Sequence, residues 1–337
     1  MPVPSTSPST ADLTGQQPWD SVFSLIAEDL EHMEDILRRE LRSQFAVVQR
    51  VLNHIGRYRG KRLRPALLLL AARMCGPIRP EHHLLAAVVE MIHTATLIHD
   101  DVLDGARLRR HLPTVHHEWG VPAAVLAGDF LFSHAFTLAS QTGSTLACRL
   151  IGQATNRVCE GEMYQTLQQG RLDLEEEEYL AIIRGKTAEL TSVACRLGAE
   201  FADATNEQTE ALAQFGLHLG LAFQITDDLL DLFGDERLTG KSLGTDWLQR
   251  KATLPVIYHW NSLPPQERPH FIRSCLDDRL PLSQLRKLLE QSGALAQAWR
   301  RAEYEAQLAR KALSLFPASP ERSACDTLVQ LCLYRYA

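Results

Sequence analysis

The chain has 337 residues, 45% of them hydrophobic and 23% charged, with a formal net charge of −6. This is an ordinary globular composition for one large or two medium domains, and the mild acidity argues against nucleic acid as the main partner. No apolar run approaches the roughly 20 residues of a membrane span, so no transmembrane segment is expected. The longest, Ala66 to Ala72, has the length of a core segment. Residues 1–17 are rich in Pro, Ser and Thr and lack the basic and apolar parts of a signal peptide. They read as a disordered tail ahead of a single domain over 18–337. The seven cysteines (75, 148, 159, 195, 275, 325, 332) form no C-x-x-C pair, which fits small core residues in a reduced, cytoplasmic protein.

Helical periodicity runs through the whole chain. Trp19 to Leu41 places Val22, Leu25, Ile26, Leu30, Met33 and Leu37 on one face, with acids between. Phe45 to Ile55 is a second helix, and Pro65, after the break Gly60-Lys-Arg-Leu-Arg, suits the first residue of a third. Pro80 to about Leu103 is a long helix, and Pro113 to Gly120 reads as a loop. Pro122 to Gln141 and Leu146 to Gln169 follow. Asp173 reads as the N-cap of a helix of about 25 residues whose acidic first turn is Glu175 to Glu178. Asn206 to Phe233 is helical, and Gly234 to Arg250 is a loop. Ala252 to Trp260, Pro265 to Cys275, Leu282 to Glu290, Gly293 to Leu315 and Pro320 to Tyr334 complete an all-α fold. No credible strand pair is present.

Two acidic clusters stand out, Asp100, Asp101 and Asp104 at the end of one apolar helix and Asp227, Asp228 and Asp231 at the end of another. Carboxylates four residues apart share a helix face and repel unless a cation lies between them. Paired hard oxygens suit Mg²⁺, which takes phosphate oxygens as further ligands. An isolated D-D-x-x-D is commonly a solvated face. Two of them, each terminating an apolar run, point to helices converging on one site.

Cations for an anionic ligand are at hand. Lys61, Arg62 and Arg64 precede a helix start, where free N–H groups attract anions. His93 lies two turns before Asp100, and Arg109 and Arg110 lie a turn beyond Asp104, where a guanidinium can clamp phosphate. Thr239 to Asp246 is glycine-rich but is no Walker A loop. Lys186, Thr187 and Lys251 are further candidates. His82-His83 and His116-His117 lack metal-site spacing and read as surface or loop residues.

In these motifs the sequence resembles the trans-isoprenyl diphosphate synthases of the polyprenyl synthetase family. Gly60-Lys-Arg-Leu-Arg-Pro65, the Asp100 cluster with Arg109-Arg110, Gly128-Asp-Phe-Leu-Phe132, Gly161-Glu-Met163, Lys186-Thr187, Phe223-Gln224 to Asp231, Lys241 and Lys251-Ala-Thr-Leu-Pro255 occur in the family's order. The resemblance implies an all-helical, isoprenoid-synthase-like bundle around a central cavity, usually a homodimer. It implies two or three Mg²⁺ ions on Asp100, Asp104 and Asp227, with Asp101, Asp228, Asp231 and Lys186 completing the catalytic clusters. Arg109, Lys186, Thr187, Gln224, Lys241 and Lys251 would hold an allylic diphosphate, and Lys61, Arg64, His93 and Arg110 isopentenyl diphosphate. Three positions depart from the family pattern, with Arg59, His111 and Arg250 where glycine is usual.

A growing chain would run from Asp100 back along its helix, past Thr96 and Ala95 and then Ile92 and Met91. Short-chain farnesyl-type relatives tend to carry an aromatic at the first level, where this chain has small residues. A medium- or long-chain polyprenyl product is therefore expected, with Met91, Phe132 or Phe136 as the floor. A short-chain farnesyl or geranylgeranyl synthase is the nearest alternative. A class I terpene cyclase would lack the second cluster and the Lys61–Arg64 site. A regulatory subunit of a heteromeric synthase would have eroded aspartates, and all six are intact.

Overall fold

The helix that the rest packs around is hydrophobic on all sides. In α4 (Leu63–Cys75) every residue from Pro65 to Ala72 is buried, as expected of a helix with no polar face. The protein is described here by a computed structural model covering residues 18–58, 60–234, 243–276 and 280–333. The tail 1–17, Arg59 and Lys241 lie outside these described residues.

Before α4 come α1 (Pro18–Ser24), α2 (Ala27–Glu40) and α3 (Ala46–Ile55). After it, α5 (Pro80–Leu103) lies along α7 (Val121–Ser140) and against α2. Next come α8 (Thr145–Leu167), α9 (Glu176–Ile183), α10 (Glu189–Glu200) and α11 (Asn206–Phe233). Then α10 packs on one side against α4 and on the other against α11. The last elements are α12 (Thr245–Leu248), α13 (Leu254–Ser262), α14 (Arg268–Leu276), α15 (Leu282–Gln291), α16 (Ala294–Leu313) and α17 (Pro320–Leu333). Of these, α16 covers α11. The long helices α5 and α11 each end in one of the acidic clusters.

Several boundaries differ from the sequence reading. The expected helix over Trp19 to Leu41 breaks at Leu25–Ile26 into α1 and α2. The third helix starts at Leu63, so Pro65 is its third residue, where the missing N–H is still not needed. The expected loop Pro113 to Gly120 contains a short helix, α6 (Val115–Trp119), and α12 sits in the expected loop Gly234 to Arg250. The N-cap of α9 is Glu175 rather than Asp173, with Glu178 reaching back to the Glu175 N–H at 3.0 Å as a reciprocal cap.

The 25-residue helix expected there is interrupted by a π turn over Arg184–Ala188, a wider winding that recurs at functional sites. Contrary to expectation, there is also a strand pair. Leu108–Arg109 (β1) and Leu112–Pro113 (β2) form a two-residue antiparallel ladder. Its turn residues Arg110 and His111 have φ of 51° and 65°, as a two-residue hairpin turn requires. His111 thus sits, with strain, in a conformation that glycine adopts freely.

Among the described residues one helix, α7, is long and apolar enough by length and composition to span a membrane. It is packed along α5 through Ala124, Ala127, Gly128, Leu131, Ala135 and Leu138. All seven cysteines are free thiols.

The α4–α10 crossing depends on Gly198, since a Cβ there would run into the Leu68 carbonyl of α4. A backbone carbonyl cannot swing aside as a side chain can. Gly198→Ala should therefore cost about 2 kcal/mol despite the better helix propensity of alanine, read as a lower urea midpoint. An unchanged midpoint would mean the two helices are not in such contact.

Candidate active site

The last turn of α5 presents the first acidic cluster. Asp100 is largely buried, and burial pushes its carboxyl up to about 6, with Glu162 and Asp104 adding to the rise and Lys186 and Arg109 opposing it. Asp101 is fully buried and turned inward. Its Oδ1 accepts from Arg109 Nε and Nη2, both at 2.7 Å, while Oδ2 has no partner among the described residues. Asp101 therefore anchors β1 and orients Arg109. Asp104, at the helix end, meets Lys251 Nζ at 3.1 Å.

The second cluster divides its labour in the same way. Asp228 is buried, and burial together with the nearby Asp246 charge raises its carboxyl well above the ordinary range. Tyr179 Oη donates to its Oδ2 and Gln224 Nε2 to its Oδ1, both at 2.7 Å. Gln224 Oε1 in turn accepts from Thr187 Oγ1 at 2.7 Å. This ladder fixes the π turn to α11. Asp231 caps α12, its Oδ1 accepting from Thr245 N at 3.2 Å and Thr245 Oγ1 at 2.8 Å, and its Oδ2 from Asp246 N at 3.1 Å.

The two clusters are linked through Lys186, Lys251 and Asp246. Lys186 Nζ pairs with Glu162 Oε2 at 2.6 Å and donates to Gln165 Oε1 at 3.0 Å. Burial lowers the pKa of its ammonium, but Asp100 and Glu162 outweigh this and hold it charged. The same ammonium acts on Asp246, whose carboxyl burial pushes up to about 6, with Asp231 and Asp227 raising it further against Lys251 and Lys186. Residues more than a hundred positions apart thus share one electrostatic site. The donors are oxygens alone, and burial holds Asp100, Asp228 and Asp246 above the ordinary carboxylate range. That set fits Mg²⁺ rather than a thiophilic metal.

A cationic pocket adjoins the first cluster. Arg62, at the N-cap of α4 with φ of 51°, is committed to Glu34 and Glu90, both at 2.6 Å. It props the loop open rather than facing a ligand. Burial brings the Arg64 guanidinium down to about 10, with Arg110 adding and Glu90 opposing, and its Nε has no partner. Burial, and then Arg64, Arg110 and Arg109, push His93 well below its ordinary value, so the imidazole is neutral at pH 7. Arg110 Nη1 donates to the Tyr58 carbonyl at 2.9 Å, and its guanidinium lies against Gly60, where a Cβ would collide with it. Lys61 Nζ sits 4.1 Å over the Trp19 ring.

Arg250, like His111 a departure from the family glycine, also has positive φ, 57°. Its carbonyl accepts from Gly170 N at 2.9 Å, and the following Lys251 N donates to the Asp246 carbonyl at 2.9 Å. The left-handed residue turns the chain so that Lys251 reaches Asp104.

On the α5 face behind Asp100, Ala95, Met91 and Ile92 are buried, and Thr96 is half-buried with Oγ1 donating to the His93 carbonyl at 2.7 Å. Phe132 packs on His99, ring centroids 5.8 Å apart, one residue from Asp100. The sequence reading missed Glu90, Glu162, Gln165, Tyr179 and Asp246. Glu162 and Asp246 lie inside motifs it quoted, but nothing in their spacing shows that they meet Lys186 and the second cluster.

The helical body, with its two aspartate-bearing helix ends, has the fold of the polyprenyl synthases and is a prenyltransferase of the isoprenoid-synthase fold. The polyprenyl synthetase family model matches residues 45–290. The chain is 37% identical over 316 residues to the all-trans-nonaprenyl-diphosphate synthase (geranyl-diphosphate specific) of Rhodobacter capsulatus, covering 93% of this chain and 97% of that one. It is 34% identical over 319 residues to the octaprenyl diphosphate synthase of Escherichia coli, covering 94% and 98%. The crystal structure of a polyprenyl synthase from Caulobacter crescentus, complexed with calcium and isoprenyl diphosphate, superposes with a TM-score of 0.88 at 37% identity, covering 95% and 98%. The chain belongs to the polyprenyl synthetase family.

Removing the Tyr179 hydroxyl should test the buried ladder. Tyr179→Phe leaves Asp228 Oδ2 without its donor in a dry site, at an expected cost of about 2 kcal/mol. Chemical denaturation reads this directly, and an unchanged transition would show that the Asp228 carboxyl is satisfied from elsewhere.

Proposed function

We propose that this chain is a Mg²⁺-dependent head-to-tail synthase that adds isopentenyl diphosphate to an allylic diphosphate and builds a medium- or long-chain polyprenyl diphosphate. The observation that carries the proposal is that Lys186 acts on Asp100, Lys251 binds Asp104, and both lysines act on Asp246, which also faces Asp231 and Asp227, all beside the Arg64–His93–Arg110 pocket. Asp100, Asp104 and Asp227 would hold two or three Mg²⁺ ions. Once bound, Mg²⁺ supplies positive charge that offsets the charge growing on the departing diphosphate. Lys186, Lys251, Lys241 and Arg109, with Thr187 and Gln224, hold that diphosphate. Arg64, Arg110 and Lys61 hold the second one, and the neutral His93 donates an N–H to it.

The allylic carbon–oxygen bond breaks, the double bond of isopentenyl diphosphate attacks the cation, and a proton is then lost to the departed diphosphate. The apolar face of α5 keeps water from the cation. The carboxylates act as ligands, not as general acids. The small residues Ala95 and Thr96 and the octaprenyl and nonaprenyl names of the relatives favour a long product over the short-chain alternative. Met91 and Phe132 would limit its length.

We extend the proposal to a homodimer in the cytoplasm. On α7, Val121, Val125 and Leu126 are exposed, as are Met163 and Leu167 on α8. A second copy would cover such an apolar stripe.

Purified protein with Mg²⁺, labelled isopentenyl diphosphate and geranyl or farnesyl diphosphate should yield elongated product, sized by chromatography. Consumption of the allylic substrate alone would indicate a cyclase, and turnover only with a second protein a regulatory subunit. Asp227→Asn should lower kcat by about 10²-fold or more, and rates equal to wild type would remove Asp227 from the metal set. Ala95→Phe should shorten the product, whereas an unaltered length distribution would mean the chain does not pass this turn of α5.

A further inference from the structure

A second group of metal-ligating side chains lies at the junction of α2 and α5, away from both aspartate clusters. Asp29, His32 and His83 each offer one donor atom, and these atoms lie within 4.8 Å of one another. Asp29 and His32 are three residues apart on α2 and therefore share a face. His83 comes from the first turn of α5. The His82-His83 pair carries no metal spacing in sequence because its partners come from another helix. His82 is buried and bound to the Gly198 carbonyl at 3.2 Å, whereas His83 faces Asp29.

Three features suit a cation. The Asp29 carboxylate is buried and already oriented, with Arg73 Nη2 and Nε on Oδ2 at 2.7 and 3.0 Å, the outer-shell support that fixes a ligand. Burial pushes its pKa up, but His83 and Arg73 outweigh this and keep it ionised. Oδ1 is left to the histidines and accepts from His83 Nε2 at 2.8 Å. The His32 and His83 rings stand 4.9 Å apart, centroid to centroid. His32 is exposed, and both rings line a cleft of about 730 Å³ together with Asp35, Arg38, Arg39 and Arg42. Tetrahedral zinc with bonds of about 2.0–2.1 Å sets its donors roughly 3.3 Å apart, which a rotation of the exposed His32 ring can reach.

We propose that Asp29, His32 and His83 form a binding site for a zinc-class divalent cation that ties α2 to α5. The ion replaces the proton shared by His83 and Asp29, and water or a small anion takes the remaining position. Because Arg73 offsets the single carboxylate charge, the two imidazole nitrogens carry the affinity. That selects Zn²⁺, Co²⁺ or Ni²⁺ over Mg²⁺.

The test uses the full chain, freed of metal by chelator and then titrated with Zn²⁺ in excess Mg²⁺ and inorganic diphosphate, which mask the aspartate clusters. The wild type should bind one equivalent per chain and gain a few degrees in Tm. His32→Ala and His83→Ala should each lose at least about 10-fold in affinity, and with it the Tm gain. Titration with Co²⁺ should give the visible absorption of a nitrogen-ligated tetrahedral ion in the wild type only. Equal zinc binding by the wild type and both variants, or no binding by the wild type, would overturn the site. His32→Ala should elongate prenyl chains in Mg²⁺ at the wild-type rate, so the outcome is separate from the prenyl-transfer reading.

Discussion

Like charge concentrated in a poorly solvated place is the constraint on which this architecture depends. Carboxylates do not gather beside apolar helices unless something compensates them. Here Lys186 and Lys251 supply part of that compensation and Arg109 neutralises Asp101, yet Asp100 and Asp246 still remain reluctant to ionise. Burial is the main cause of that reluctance.

Within each acidic triplet the members are unequal. Asp101, Asp228 and Asp231 turn toward the protein and hold Arg109, the Tyr179–Gln224–Thr187 ladder and α12, respectively. The D-D-x-x-D pattern is thus partly a construction device. The basic motif is divided in the same manner. Arg62 braces Glu34 and Glu90 while Arg64 and Arg110 crowd His93.

The sequence made much of this legible. The long apolar helices α5 and α11 were evident from periodicity, and the acidic clusters from their position at the ends of those helices. What escaped depended on contacts between distant segments. Glu90 looks like any helix glutamate until Arg62 reaches it, and Asp246 looks like a loop residue until Asp231 caps the turn that carries it. The hairpin at Arg110–His111 was missed because each of its strands is only two residues long, too short for an alternating pattern, and Arg110 is not a usual left-handed former. The break at Arg184–Ala188 was missed because the apolar spacing around it still scans as one continuous helix.

That break has a consequence for how this stretch of chain can vary. A π turn carries one residue more than an α turn, and each residue of an α-helix advances the face by about 100°. Upstream of the turn, α9 directs Tyr179 at Asp228; downstream, α10 must bring Gly198 against α4. Deleting one residue here would restore regular winding but rotate one of these faces away from its partner. The segment should therefore tolerate exchange of side chains far better than any change in its length.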